Sequence, residues 1–179
     1  MNNSFRTVVV LAGGLLVGAA APVAAQSKGV DVTLGYQFQR VTCSGCDSTN
    51  IPAGFSADVG GMINSMWSWV GQVDLGRKSQ TFGSVDLTNT LTFFGGGARW
   101  SQMQGSGVSP YLQVLLGGTR DTSASTTNFT FDVDGGVAVP ISSDMKTSVV
   151  GQVGYRRIAE DTALNDIRLV LGVRFKIGG

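Results

Sequence analysis

Residues 166–177 read D-I-R-L-V-L-G-V-R-F-K-I, and no other stretch limits the possible folds as much. At a period of two, Ile167, Leu169, Leu171, Val173, Phe175 and Ile177 fall on one side, with Arg168, Val170, Gly172, Arg174 and Lys176 on the other. A helix of the same residues would scatter three basic side chains among the apolar ones, so the period indicates a strand. One face is unbroken and apolar; the other is cationic and small. The length suits a tilted transmembrane β-strand, which needs about 9 to 11 residues.

Seven further segments carry the same alternation. Residues 30–41 place Val30, Val32, Leu34, Tyr36 and Phe38 opposite Asp31, Thr33, Gly35, Gln37 and Gln39. The next strands are expected at 54–63, 67–75, about 87–100, 110–118, 129–139 and 149–156, with polar loops at 42–53, 77–86, 119–128 and 157–165. Within the fourth, Gly95-Gly96-Gly97 erases the alternation; placing Arg99 inward turns Phe94, Ala98 and Trp100 outward. The lysine and Ser/Thr of a phosphate loop are missing, so close backbone packing or a bulge is the expected role of these glycines. Loops after the odd-numbered strands are expected to be mostly long and polar, those after the second and sixth shorter. The fold class that follows is all-β: an eight-stranded antiparallel up-and-down transmembrane β-barrel.

Composition supports this. Hydrophobic residues make up 42% of the 179-residue chain and charged residues 14%, yet no apolar run reaches the roughly 18 residues of a spanning helix. Apolarity is spread over alternate positions instead. The N-terminus reads as an export signal: Arg6, then apolar residues 8–21, then Val23-Ala24-Ala25 with small residues at the first and third positions before a cut. Cleavage is expected between Ala25 and Gln26, leaving residues 26–179 as the barrel domain. Arg6 is the only charge removed, so 12 basic residues balance 12 acidic ones in the remainder. That balance offers no electrostatic case for nucleic acid.

Cys43 and Cys46 are the only cysteines and lie close together between two strand patterns, where a small disulfide staple is the preferred reading. A redox motif or half of a metal site is the alternative. The first lacks a βαβ context and the second lacks further ligands, since the chain has no histidine.

Alternation alone does not say which face looks inward. A lipocalin-like soluble carrier would wrap its apolar faces around a ligand cavity. A membrane barrel would enclose the charges. The polar faces hold Asp31, Asp58, Asp74, Asp132 and Asp134 against Arg99, Arg156, Arg168, Arg174 and Lys176, a balance that suits pairing in a narrow lumen. An arginine on lipid would cost about 2 to 4 kcal/mol at mid-depth. The membrane arrangement is therefore favoured, with both termini periplasmic and the lumen filled by side chains.

The chain resembles the outer membrane protein β-barrel domain family, the small OmpA/OmpX-like barrels. The likeness rests on the V-A-A export ending, G-V-D-V-T-L-G-Y at 29–36, S-P-Y-L-Q-V-L-L-G-G at 109–118, G-Q-V-G-Y-R-R at 151–157 and I-R-L-V-L-G-V-R-F at 167–175. It implies insertion by the barrel-assembly machinery, whose aromatic end signal is displaced here because Lys-Ile-Gly-Gly follows Phe175. Enzymes among such barrels resemble one another in using histidine, which this chain lacks. The functional expectation is a non-enzymatic surface barrel without a cofactor, with outer-membrane lipid as its partner and an extracellular loop ligand of unspecified kind. A soluble carrier and a narrow solute pore are the alternatives. Asp132 and Asp134, two apart on one face, fit ion pairing better than carboxylate catalysis.

Overall fold

In a computed structural model of the chain, which describes residues 29–43, 48–82, 85–102, 107–122, 126–159 and 164–178, eight strands form a closed antiparallel barrel in sequence order. They are β1 (Val30–Cys43), β2 (Thr49–Met62), β3 (Trp67–Phe82), β4 (Val85–Ser101), β5 (Ser109–Asp121), β6 (Thr126–Pro140), β7 (Thr147–Ile158) and β8 (Leu164–Ile177). β8 pairs with β1 along its whole length, so the sheet has no free edge. The export segment, the cut between Ala25 and Gln26, Cys46 and the side chain of Cys43 lie outside the described residues.

The register fixes the tilt. From Val30, partner follows partner through Gly61, Trp69, Ala98, Val114, Val133, Tyr155 and Ile167, and the path returns to β1 at Arg40, ten residues further along. Each strand-to-strand step thus climbs the wall by roughly one and a quarter residues, the shear of a narrow tilted barrel. One bulge interrupts the ladder. Between Gln37 and Gln39, β1 meets an extra residue of β2, where Pro52 has no N–H to donate. Tyr36 Oη donates to the carbonyl of Pro52 at that point.

Gly95, Gly96 and Gly97 keep continuous pairing to both neighbours, so they form no bulge. Close packing is their role instead. A Cβ at Gly97 would strike the carbonyl oxygen of Val114, and one at Gly95 would lie 2.8 Å from that of Leu116.

The strands outrun the expected loops. β3 continues to Phe82 and β4 begins at Val85, where a polar loop over 77–86 was expected; β5 reaches Asp121 and β6 starts at Thr126. Polarity along the chain therefore marks the end of the apolar band rather than the end of the strands. The expected length asymmetry therefore appears as strand extension at the rim away from the chain ends. At the opposite rim, Asn64 Oδ1 accepts from the amides of Met66 and Trp67 in the β2–β3 turn. In the β6–β7 turn, Asp144 accepts from the Ser142 hydroxyl at 2.6 Å and the Lys146 amide at 3.0 Å, which holds its carboxyl below the ordinary aspartate range.

The outer wall is apolar. Leu171 is 66% exposed and Leu169 54%, whereas Arg168, next to Leu169, and Asp132 on β6 are 0% exposed. Aromatic side chains gather at two levels: Trp67 opposite Trp100 with Trp69 and Phe175 near one rim, and Tyr36, Phe55, Phe94, Phe131 and Tyr155 towards the other. This is the girdle pattern of a wall that meets hydrocarbon between two interfaces. The lipocalin-like alternative fails here, because the interior it would need to be apolar is lined with buried Asp, Arg, Gln and Thr.

Candidate functional site

The functional candidate is the lumen itself, positioned by alternate residues of all eight strands. Two ionic layers fill it. In the layer nearer the chain ends, Arg99 of β4 donates to Asp31 at 3.0 Å, to Asp58 at 2.8 Å and through Nε to Gln113 at 2.9 Å. Arg174 of β8 donates through Nε to Thr33 at 3.0 Å and lies 3.7 Å from Asp31. The ring of Tyr111 sits between these cations, 5.2 Å from Arg99 and 4.7 Å from Arg174, and its hydroxyl donates to Gln152 at 2.8 Å.

The far layer is more crowded. Arg156 of β7 pairs with Asp74 and with Asp132 at 2.7 Å, and its guanidinium lies 3.8 Å from the centre of the Phe93 ring. Arg168 of β8 reaches Asp74 at 2.5 Å, Asp132 at 2.6 Å and Asp134 at 2.5 Å. Asp74 also accepts from Ser56 at 2.6 Å and Gln72 at 2.9 Å, so both its oxygens are saturated. Gly154 makes the space: a Cβ there would overlap Asp134 Oδ1 and crowd Arg168 Nη2 at 3.2 Å.

Gln113 joins the two layers. It accepts from Arg99 and donates to Asp134 at 2.7 Å and to Gln72 at 2.8 Å. Dry charges of this kind are held only by pairing and hydrogen bonds, and removing one partner of such a pair costs about 3–5 kcal/mol.

Of the residues singled out from sequence, Asp31, Asp58, Arg99 and Arg174 meet in one layer and Asp74, Asp132, Asp134, Arg156 and Arg168 in the other. Lys176 stands apart: it is exposed at the rim of the chain ends and has no ion pair among the described residues. Asp166 belongs to the far layer and was not singled out. It is fully buried, accepts from Gln39 at 3.1 Å and lies 3.9 Å from Arg156. Its parity with Arg168, two residues on, was the available signal. Gln39, Gln113 and Tyr111 carried no charge to flag them, and their bridging depends on partners one to three strands away.

Among the described residues, the far layer thus sets four carboxylates, Asp74, Asp132, Asp134 and Asp166, against two guanidinium groups, and Asp132 Oδ1 and Asp166 Oδ1 accept no hydrogen bond. Among the described residues no group of three or more His, Cys, Asp or Glu side chains is arranged to hold a metal ion. Chemically, the arrangement is a buried polar core in which paired charges link strands across the lumen.

Solved structures share this architecture. Neisserial surface protein A is similar over 83% of this chain and 97% of its own, with 20% identity and a TM-score of 0.68. Ail, the attachment invasion locus protein of Yersinia pestis, is similar over 85% of this chain and all of its own, with 14% identity and a TM-score of 0.61. The outer membrane protein OprG from Pseudomonas aeruginosa follows with 11% identity, a TM-score of 0.57, and coverage of 86% and 98%. At such identities the likeness is one of fold. No curated protein matches the sequence. The profile of the outer membrane protein β-barrel domain spans residues 9–175, nearly the whole chain. A closed wall, apolar outside and ion-paired within, under a profile of that reach, makes this chain a member of the outer membrane protein β-barrel domain family, an outer-membrane protein.

Proposed function

We propose that this outer-membrane barrel is a non-enzymatic, side-chain-plugged anchor that holds surface loops in place, inserted by the barrel-assembly machinery with both termini in the periplasm. The observation that carries the reading is the pair of ionic layers bridged by Gln113, which spans the bore from strand to strand. Eight strands leave an interior about wide enough for side chains alone. An adhesion or envelope-supporting role belongs to the far rim, where polar ladders of β3 with β4 and β5 with β6 extend beyond the apolar band. One structural neighbour, Ail, is named an attachment invasion locus protein, which is consistent with a contact role for loops on this kind of wall.

Planar-bilayer recording tests the plug. The barrel should give no large, stable conductance, and a steady open channel would favour the narrow-pore alternative instead. Deleting the far-rim loops one at a time and measuring adhesion to host cells or matrix tests the surface role, which unchanged adhesion would remove.

A further inference from the structure

After residue 25 the sequence contains four methionines, Met62, Met66, Met103 and Met145. Met103 lies outside the described residues. The other three stand at the rim of the chain ends: Met62 closes β2, Met66 immediately precedes β3, and Met145 sits in the β6–β7 turn. No other described strand position holds a methionine, although the wall and the lumen use Leu, Val, Ile and Phe freely. The three side chains are open to their surroundings, Met66 at 50% exposure, Met145 at 43% and Met62 at 39%.

The two sulfurs of the β2–β3 turn carry none of the contacts that shape it. Asn64 Oδ1 holds the amides of Met66 and Trp67, the amides of Ile63 and Asn64 donate to the carbonyl of Trp67, and the amide of Met62 donates to the carbonyl of Gly29 at 3.3 Å. A sulfoxide in a packed core disrupts its surroundings, whereas one on these side chains leaves every such bond in place. The same turn adjoins the near aromatic level. Trp67 follows Met66 directly and pairs with Trp100 on β4. Met62 pairs with Ser68, between Trp67 and Trp69, and the ring of Trp69 covers Gly61 so closely that a Cβ there would overlap it. Two thioethers therefore flank three indoles where the wall meets water. An indole at that level anchors the barrel through an apolar face and an N–H donor, both of which oxidation of the ring removes.

We infer that Met62 and Met66 form a sacrificial, reversible oxidation site that spares this tryptophan cluster from hypohalous acids. The oxygen of hypochlorous acid bonds to the sulfur as the O–Cl bond breaks. The sulfur gives up two electrons, the chlorine leaves as chloride, and the hydroxyl proton passes to water, leaving methionine sulfoxide. A thioether sulfur is a softer and stronger nucleophile than an indole ring, so it reacts first. Reductases specific for each sulfoxide epimer restore the thioether, and exposure at the rim gives them access. The site thus resets, which an oxidised tryptophan does not.

The full barrel in phosphatidylcholine vesicles is treated with about two equivalents of hypochlorous acid, quenched, and mapped by peptide mass spectrometry. Oxygen should appear first at Met62 and Met66, with migration in unheated dodecyl sulfate unchanged. Methionine sulfoxide reductases A and B should then remove it from the folded barrel. M62L/M66L should raise oxidation of Trp67, Trp69 and Trp100 about threefold or more. M66L alone should give part of that rise, which keeps the inference testable if the double variant does not fold. M145L removes a thioether from the opposite side of the rim, four strands away, and should leave tryptophan oxidation unchanged. Equal tryptophan oxidation in the wild type and in both M66L and M62L/M66L overturns the inference. So does an M145L effect as large as theirs, unfolding on sulfoxide formation, or sulfoxides that the reductases leave in place. Neither the chemistry nor the assay depends on which way the barrel faces.

Discussion

Arg168 holds three carboxylates from two other strands, and its loss would leave Arg156 alone among four. Arg168→Gln should therefore destabilise the barrel by about 3–5 kcal/mol, the cost of stranding buried charge. The opposite change is cheap. Asp166→Asn removes one of two surplus carboxylates yet keeps an acceptor for Gln39, so it should cost under about 1 kcal/mol or stabilise. Urea unfolding of both variants in lipid vesicles checks the ranking, and equal losses would show that the acid excess has no energetic weight. At this scale the sequence showed which charges share a face but not which meet. Asp74 joins two arginines because β3 and the β7–β8 pair lie across a narrow bore, and that distance depends on the closed radius.

Elements follow the period-two rule more closely than their expected boundaries. The register of β8 runs unbroken against β1 from Val30 with Ile177 to Cys43 with Leu164, so its two faces keep their assignments throughout. Depth along that strand should set the cost of a charge on the outer face. Leu171→Arg, in mid-wall, should cost about 2–4 kcal/mol, and Ile177→Arg, at the rim, about 0–1 kcal/mol. Unfolding free energies in the same vesicles give the comparison; a cost that does not change with depth would count against hydrocarbon outside. Strand ends were less legible than strand faces. Residues 77–82 and 85–86 pair as ladder although they read as loop, because backbone pairing needs no apolar alternation in the sequence. The glycines at 95–97 were legible as close packing, while the absence of a bulge could be learned only from both neighbours.

For the whole molecule, closure is the property with a direct readout. With no sheet edge from which to peel, the barrel should stay folded in unheated dodecyl sulfate and migrate differently after boiling. Identical migration would argue that the wall is open. Strand number, the sorting of apolar and polar residues onto opposite faces and the family resemblance were all settled by sequence, since a two-residue period and repeated turn signals are local properties of the chain. Closure, shear and the division of the lumen into two layers were settled by tertiary structure alone. The physical reason is that local alternation fixes which way a side chain points, whereas its height and its partner across the bore depend on how eight strands are staggered when the sheet closes.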